Sequence, residues 1–513
     1  MPLRQPYQSD EEIATRARGH LERVVAIESA SDENSPTIPS TPGQAELARV
    51  VGAFFAEYGA SIEQDAHANV IATVPGRGAG ADAPPLALMV HLDTAKGTQP
   101  VGQLQLAPGW TGDALSWPAN PRIRVDVATY PALSAYLGQD VLHGPGDAPF
   151  GLDDKLGLTH MMTLAWLLSS NPEIDHPPLL FIGRPDEEIG RMEALHGLAK
   201  LLAERGVHTG YTVDGLDPFE VNVENFNGAG ASVLFPSRQP RGDGPLVAVR
   251  LVGVNTHGAT AHAEGHRAAT RLAAAVLGEV EDVEVVGFRS DPQRECDALV
   301  VFSVLPGGEE ELGSALRAVV ADHRDRGADV IPVDLPDGFE PDAAAHDMLR
   351  WVARFLASDS GFTLLAEDSW GRDGYSAPYR AFPVEHGVQL DVRLRDFSPD
   401  GLAARIAHVQ ELGGSACRVS HHYDNMGPRL ADRPELVTWA QEAAASLGQE
   451  AQVFPIRGGT GIDPFLDAGV AIGNLGTGYF APESEKELTS MQMLSGHARW
   501  LLALVQLVAG EAR

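Results

Sequence analysis

The chain has 513 residues and carries 38 Lys and Arg against 70 Asp and Glu, which gives a formal net charge of −32 at pH 7. This acidic balance argues against a nucleic-acid partner and against binding to an anionic membrane surface, because both favour clusters of Lys and Arg. The length suits two or more domains, and a composition of 44% hydrophobic and 21% charged residues is typical of a folded globular protein.

Short apolar runs alternate with helical stretches along the first half of the chain, which is typical of α/β architecture. The pattern predicts helices at residues 11–28, 40–58 and 153–169, and strands at 70–74, 86–90, 179–182 and 211–213. It resumes near residue 426, with helices at 435–446 and 490–508 and strands at 453–456 and 470–473. We therefore expect a discontinuous α/β domain built from residues 1–244 and 426–513.

The character of the sequence changes near residue 245. Two strand–helix–strand units follow, the first at 298–305, 309–326 and 330–333, and the second at 388–394, 400–412 and 417–421. Such units suit a small open sheet with helices on one face. We predict an α+β domain over residues 245–425, inserted within the first domain, and residues 335–383 show no pattern that places them.

Two cysteines, Cys296 and Cys417, are too few for a disulfide framework or a zinc site built from cysteines. The first residues show no apolar core of a secretory signal, and no apolar run approaches the roughly 20 residues of a membrane-spanning helix. We expect a soluble, cytoplasmic protein that does not insert into a membrane.

Acidic residues and a His follow predicted strands or open a predicted helix. The candidates are His91, Asp93, Asp153, Glu187, Glu188 and Asp214. Each one alone has a structural explanation, such as a helix N-cap, a turn or a solvated face. Ligands of open α/β sheets gather at the carboxyl ends of strands, so together these residues predict a divalent metal site of nitrogen and oxygen ligands. A bridging carboxylate can hold two metal ions, and a neighbouring acid can then take a proton from water.

At these residues the sequence resembles the peptidase T branch of the dinuclear-zinc family, which also holds aminoacylases, dipeptidases and glutamate carboxypeptidases. The resemblance runs from about residue 40 to residue 490 and rests on these blocks, in the same order: Pro39-Ser-Thr-Pro-Gly-Gln44, His91-Leu-Asp-Thr94, Leu137-Gly-Gln139, Gly151-Leu-Asp-Asp-Lys-Leu-Gly157, Pro185-Asp-Glu-Glu-Ile-Gly190, Tyr211-Thr-Val-Asp-Gly215, Glu224-Asn-Phe-Asn227, Arg395-Asp-Phe397 and Pro455-Ile-Arg-Gly-Gly-Thr460.

The resemblance implies a zinc-exopeptidase-like catalytic domain with a mixed sheet flanked by helices. Residues 245–425, called the lid below, would close over the site and form a homodimer. The implied reaction releases the N-terminal residue of a short peptide. A related dipeptidase or N-acyl amino acid deacylase would use the same mechanism. A different class, a metal-poor pseudo-peptidase that binds peptides or a partner without cleaving them, stays open.

The resemblance also implies a role for each candidate. His91 and Asp214 would bind one metal ion, Glu188 would bind the other, and Asp153 would bridge both. Asp93 would orient His91, and Glu187 would be the general base. Three further residues would bind substrate. His257, from the lid of a partner subunit, would stabilise the oxyanion. Arg395, assisted by Arg457, would hold the carboxylate of the peptide. The structural alternative for His257 is a surface residue of the lid.

The chain departs from the family pattern at two places. The family's Gly-Gly-Thr-Asp-Gly reads Gly458-Gly-Thr-Gly-Ile-Asp463 here, so the acid after the Thr is missing or shifted by two positions. The family's last metal ligand is a His, whereas no His lies between His422 and His497 of this chain. Counting without gaps from Thr460 places Glu483 at that position.

Three interpretations of this position stay open: Glu483 binds the second metal ion, the second site is empty or weak, or Glu485 or another residue substitutes. An additional carboxylate ligand would favour harder ions such as Mn²⁺ over Zn²⁺. The predicted cofactor is therefore a pair of divalent ions, zinc with manganese or cobalt as alternatives, with the second site open.

Overall fold

The computed structural model of the chain describes residues 3–242, 244–304 and 308–511. They form two compact units. The first comprises Met1–Ala119, Val125–Asn225 and Asn425–Arg513, and the second comprises Asn120–Arg124 and Phe226–Asp424. The second unit thus begins earlier along the chain than residue 245, where the sequence pattern places the boundary.

The strands, numbered along the chain, are β1 (Ser61–Gln64), β2 (Val70–Val74), β3 (Leu86–His91), β4 (Gln105–Ala107), β5 (Val141–His143), β6 (Leu179–Arg184), β7 (Thr209–Gly215), β8 (Glu220–Asn222), β9 (Asn227–Pro236), β10 (Leu246–Val252), β11 (Val283–Ser290), β12 (Ala298–Val304), β13 (Asp329–Pro332), β14 (Tyr375–Val384), β15 (Gly387–Asp396), β16 (Cys417–Tyr423), β17 (Gln452–Val453), β18 (Ala471–Gly476) and β19 (Leu488–Ser490). The helices are α1 (Asp10–Val25), α2 (Pro42–Glu57), α3 (Leu152–Ser170), α4 (Glu193–Glu204), α5 (Ala261–Glu264), α6 (Ala269–Glu279), α7 (Glu309–Ala321), α8 (Ala344–Leu356), α9 (Pro399–Gly413), α10 (Gly427–Leu430), α11 (Glu435–Ala445), α12 (Asp463–Asp467) and α13 (Met491–Glu511).

The first unit is built on a mixed sheet with the strand order β1-β2-β6-β3-β7-β18-β8-β17. Strand β3 pairs in parallel with β6 on one side and with β7 on the other, and β7 pairs in parallel with β18. Strands β3, β6 and β18 are buried along their whole length, as expected of parallel strands covered on both faces. The predicted α/β class with a mixed sheet is confirmed.

Helices from both ends of the chain pack in this unit, because α1 and α13 contact each other and both contact α3. Helix α3 is apolar around nearly all of its circumference and is almost entirely buried, which is the expected location of such a helix. Among the described residues, no helix combines the length and the apolar character that crossing a bilayer requires.

The second unit contains two antiparallel four-stranded sheets, with orders β11-β12-β10-β13 and β14-β15-β9-β16. The chain builds the first through β10, α6, β11, β12, α7 and β13, and the second through β9, α8, β14, β15, α9 and β16. Both are βαββαβ modules with the same strand order, and the first is inserted between β9 and α8 of the second. The two strand–helix–strand units predicted from the sequence are the second halves of these modules, and residues 335–383 supply α8 and most of β14.

Candidate metal site

Parallel strands of the first unit bring the candidate residues to one edge of the sheet. His91 ends β3 and lies in register with Arg184, which ends β6, while Asp214 lies near the end of β7. The loop that follows β6 carries Glu187 and Glu188. Because carboxyl ends of parallel strands meet at the same edge, β3 and its two neighbours place all these side chains around one point.

His91 is buried, with 1% of its surface exposed, and its two ring nitrogens have different partners. Its Nδ1 lies 2.9 Å from the backbone oxygen of Asp93 and 3.4 Å from the Oδ1 atom of the same residue. Its Nε2 lies 2.9 Å from Oδ1 of Asp153 and 3.4 Å from Oδ1 of Asp214. A proton on Nδ1 therefore directs the Nε2 lone pair between two carboxylates, the arrangement expected of a metal-binding His.

Asp93 is fully buried and connects His91 to the two neighbouring acids. Its Oδ1 accepts the backbone N–H of Glu187 over 2.9 Å, and its Oδ2 accepts that of Glu188 over 3.0 Å. Asp93 thus orients the ring through its backbone oxygen and, at longer range, its carboxylate, and the same carboxylate holds the turn that carries both glutamates.

The same turn is held from its other side by the segment at the start of α2. Asp186 has φ of 54° and is fully buried. Its carboxylate accepts the N–H of Ser40 over 2.9 Å and an Nε2 proton of Gln44 over 2.7 Å, and its own N–H donates to Oε1 of Gln44 over 3.0 Å. The block at residues 39–44 therefore supports the turn rather than touching the metal site directly.

Burial and mutual repulsion shift the carboxylates towards their protonated forms. Burial raises the pKa of Glu188 well above its usual value, and the nearby charges of Glu483 and Asp153 raise it further. Burial likewise raises the pKa of Asp214 to about 7. Among the described residues, the buried Oε1 atom of Glu188 has no hydrogen-bond partner. Bound cations would neutralise the negative charge of this cluster and let its carboxylates stay ionised.

The donor atoms fit that requirement. His91, Asp154 and Asp214 offer ligand atoms within 4.8 Å of one another, and so do His91, Asp153 and Glu188. One nitrogen and several carboxylate oxygens form a ligand set suited to zinc or manganese. The residues present are therefore those that a divalent metal site needs.

Glu483, at the position where the family carries a His, lies close enough to this cluster for its charge to raise the pKa of Glu188. The residue has φ of 55°, a left-handed conformation that is uncommon outside glycine and that costs of order 1–3 kcal/mol. Its backbone N–H donates to Oε1 of Glu487 over 3.1 Å. Surrounding contacts thus hold Glu483 in a strained backbone conformation beside the predicted ligands.

Three residues of the site were not singled out from the sequence. Asp154 accepts the N–H of His91 over 3.2 Å, and Tyr479 donates its hydroxyl to Oδ2 of Asp153 over 3.0 Å. Oε2 of Glu487 accepts backbone N–H groups of residues 150–152 at the start of α3. Asp154 directly follows Asp153 and Glu487 lies four residues after Glu483, yet no spacing rule pointed to them.

The predicted substrate-binding residues lie in both units. His257 is half-buried in the second unit, and its Nδ1 accepts the N–H of Ala259 over 3.2 Å. Arg395, also in the second unit, is 8% exposed, donates from Nη1 to two backbone oxygens at 2.8 and 2.9 Å and lies over the ring of Tyr423. Arg457 is half-buried in the first unit, after β17. Their roles stay predictions.

No protein-family model matches the chain. Curated relatives do match it: peptidase T of Bacillus thuringiensis and peptidase T of Bacillus cereus are each 32% identical to it over 257 residues. This alignment covers 49% of this chain and 56% of each relative, so the chain spans little more than half the length of the curated relatives it matches.

Solved structures match over almost the whole chain, each with a TM-score of 0.50. Aminopeptidase PepT from Bacillus cereus is 15% identical over 97% of this chain and 99% of its own. Aminoacylhistidine dipeptidase from Vibrio alginolyticus is 14% identical over 98% of both chains, and human carnosine dipeptidase 1 is 14% identical over 99% of this chain and 100% of its own. The resemblance predicted from the sequence is confirmed: the chain is similar to peptidase T over about half of its length and shares the fold of these aminopeptidase and dipeptidase structures.

Proposed function

We propose that this protein is a metal-dependent exopeptidase that releases the N-terminal residue of short peptides. The observation that carries the proposal is the convergence of His91 and several buried carboxylates at one edge of the sheet, with Glu187 on the adjoining turn. The likeness to peptidase T supports it independently.

His91 and Asp214 would hold one divalent ion, Glu188 and Glu483 a second, and Asp153 would lie between them. When bound, such ions polarise the scissile carbonyl and lower the pKa of water. Glu187 accepts the proton of the attacking water and delivers it to the departing amine. Burial raises the pKa of Glu187, and the nearby Arg184 charge opposes that rise. Asp93 acts through the backbone by holding Glu187 on its turn.

Three lid and loop residues complete the proposal. His257 would stabilise the oxyanion, as the resemblance implies, from the lid of a partner subunit. Arg395 and Arg457 would hold the carboxylate end of the peptide. Nη1 of Arg395 already donates to two backbone oxygens, so Arg395 would have to bind the peptide through its other N–H groups.

A turnover assay tests the reaction. Metal-stripped protein is reloaded with Zn²⁺, Mn²⁺ or Co²⁺ and offered tripeptides, dipeptides and N-acyl amino acids. Release of the N-terminal residue from tripeptides is expected, with kcat lowered by about 10²–10⁴-fold in Glu187→Gln, which keeps the shape of the side chain but cannot accept the proton. The matched control is Glu193→Gln, on α4 beyond the same turn, for which wild-type turnover is expected.

Other outcomes separate the alternatives. Cleavage confined to dipeptides or to N-acyl amino acids would replace the aminopeptidase by the dipeptidase or the deacylase. No turnover of any substrate, with peptides bound equally well by wild type and Glu187→Gln, would favour the pseudo-peptidase. Metal analysis of the purified protein decides between zinc, manganese and cobalt, and between one ion and two.

Assembly and location are separate proposals. The resemblance predicts a homodimer through the lid, and native mass spectrometry tests it: a species of 54.5 kDa would contradict the dimer. The proposed location is a reducing cytoplasm, because two cysteines are too few for a disulfide framework, and fractionation of source cells tests that location.

A further inference from the structure

Arg184, the last residue of β6, is fully buried and only partly satisfied. Its Nη2 donates to the backbone oxygen of Thr460 over 2.9 Å. Within the part of the chain that the structure describes, its Nε and Nη1 have no hydrogen-bond partner. A guanidinium stays charged even when buried, and a buried charge without a counter-charge is strongly unfavourable. A function in the site would explain why this cation is retained.

The side chain that faces this charge is Glu187, whose Oε1 lies 3.8 Å from Nη2 of Arg184. Other arginines close to the turn have different partners. Arg191 donates to backbone oxygens of residues 33–37 and lies 4.0 Å from Oδ2 of Asp186. Arg184 therefore supplies the positive charge on the side of Glu187 that faces the 458–461 loop.

Gly461 provides the room for this arrangement. It has φ of 58°, and a Cβ atom built on it would lie 2.5 Å from Nη1 of Arg184 and 3.0 Å from Oε1 of Glu187. Any other residue would push against both charged groups and would also be strained in its backbone. The loop is thus shaped to let the guanidinium and the carboxylate approach each other.

We propose that Arg184 is a positioning residue for Glu187: its guanidinium, anchored on Thr460 and given space by Gly461, holds the Glu187 carboxylate in the orientation that accepts the proton of the attacking water. The proposal rests on the proposed function, since it assigns Arg184 to the same reaction. Arg184 transfers no proton itself, because it keeps its own throughout. It acts through its positive charge and through its hydrogen bond to the backbone oxygen of Thr460.

The test compares Arg184→Met and Arg184→Lys with wild type, and uses Arg191→Met as the matched control on the same turn. We expect Arg184→Met to lower kcat by about 10–100-fold, a part of what a general base contributes, with KM within about twofold and metal content unchanged. Arg184→Lys, which keeps the charge, should recover part of the loss. Arg191→Met should keep kcat within about twofold of wild type.

Crystal structures give a readout that does not depend on turnover. The Glu187 carboxylate should be displaced in Arg184→Met but not in Arg191→Met, and Gly461→Ala should displace Arg184 and lower kcat in the same way. Wild-type kcat in Arg184→Met, or an unmoved Glu187, would overturn the proposal. Loss of metal together with kcat would overturn it as well, because Arg184 would then support the whole site. A wild-type protein without peptidase activity would instead refute the proposed function, and the crystallographic comparison would still decide the positioning role.

Discussion

The backbone N–H of Glu483 donates to Oε1 of Glu487 over 3.1 Å. The other oxygen of Glu487, Oε2, accepts the N–H groups of Phe150, Gly151 and Leu152 over 2.9, 2.9 and 3.3 Å. Asp153 follows these residues directly in the chain. One buried carboxylate therefore fixes two distant segments that carry proposed metal ligands.

Glu487 should make the stability of the metal-free protein depend on pH. Burial raises the pKa of Glu487 to about 8, against a usual value of 4.5, so ionisation of this carboxyl opposes folding. Its contribution is fully present below pH 4.5 and is lost as the pH rises through about 8. Glu487→Gln does not titrate, so its Tm relative to wild type should increase over this interval. Thermal melts of chelator-treated proteins measure this, and parallel curves for the two proteins would contradict it.

Glu483→Ala should reduce the metal content from about two ions per chain towards one, because the second ion loses an oxygen ligand. Glu483→His should restore binding and shift preference towards Zn²⁺, since an imidazole replaces a harder carboxylate. Elemental analysis and calorimetric titration measure both effects. Glu485→Ala is the control for the competing interpretation. Unchanged stoichiometry and affinity in Glu483→Ala would show that Glu483 is not a ligand.

Asp93→Asn should weaken metal binding or turnover by about 10–100-fold, the usual cost of losing a carboxylate that orients a metal-binding His. In the variant an NH2 donor replaces one of the two carboxylate oxygens, so one of the N–H groups of Glu187 and Glu188 loses its acceptor. Competition with a metal chelator measures the affinity. The idea fails if the variant binds metal and turns over substrate as wild type does.

Metal affinity should fall as the pH is lowered through neutrality. Burial raises the pKa of Asp214 to about 7, and although burial of His91 opposes its charging, the Asp214 and Asp153 carboxylates hold the pKa of His91 well above its usual value. Metal-free protein therefore carries protons at the site that an ion must displace. Calorimetry in buffers of different ionisation enthalpy should show proton release on binding at pH 6 to 7, about one or more per chain. Affinity that does not vary with pH would contradict this.

Much of the fold follows from local patterns. The apolar run that became β3 is fully buried, and the apolar stretch from residue 153 became α3, because periodicity and turn residues report local structure directly. The placement of His91 and Asp214 near strand ends also follows from the sequence, since parallel strands bring such residues to one edge.

Contacts between distant segments could not be predicted in this way. No local pattern links Ser40 to Asp186, or Arg184 to Thr460, because these bonds exist only once the loops have packed together. The insertion of one βαββαβ module into the other could not be predicted for the same reason, because strand β9 pairs with β15 and β16, which lie far along the chain.

The sequence by itself determined the α/β class and the strand-end candidates, since these depend on residue type and short-range spacing, whereas the acid at position 483 was singled out by the resemblance to the peptidase T branch. The tertiary structure alone decided which buried groups support them. Glu487 accepts hydrogen bonds from Glu483 and from the start of α3, and Arg184 lies beside Glu187. The physical reason is that the burial of a charge, and the partners that make burial tolerable, are properties of the packed chain rather than of any segment.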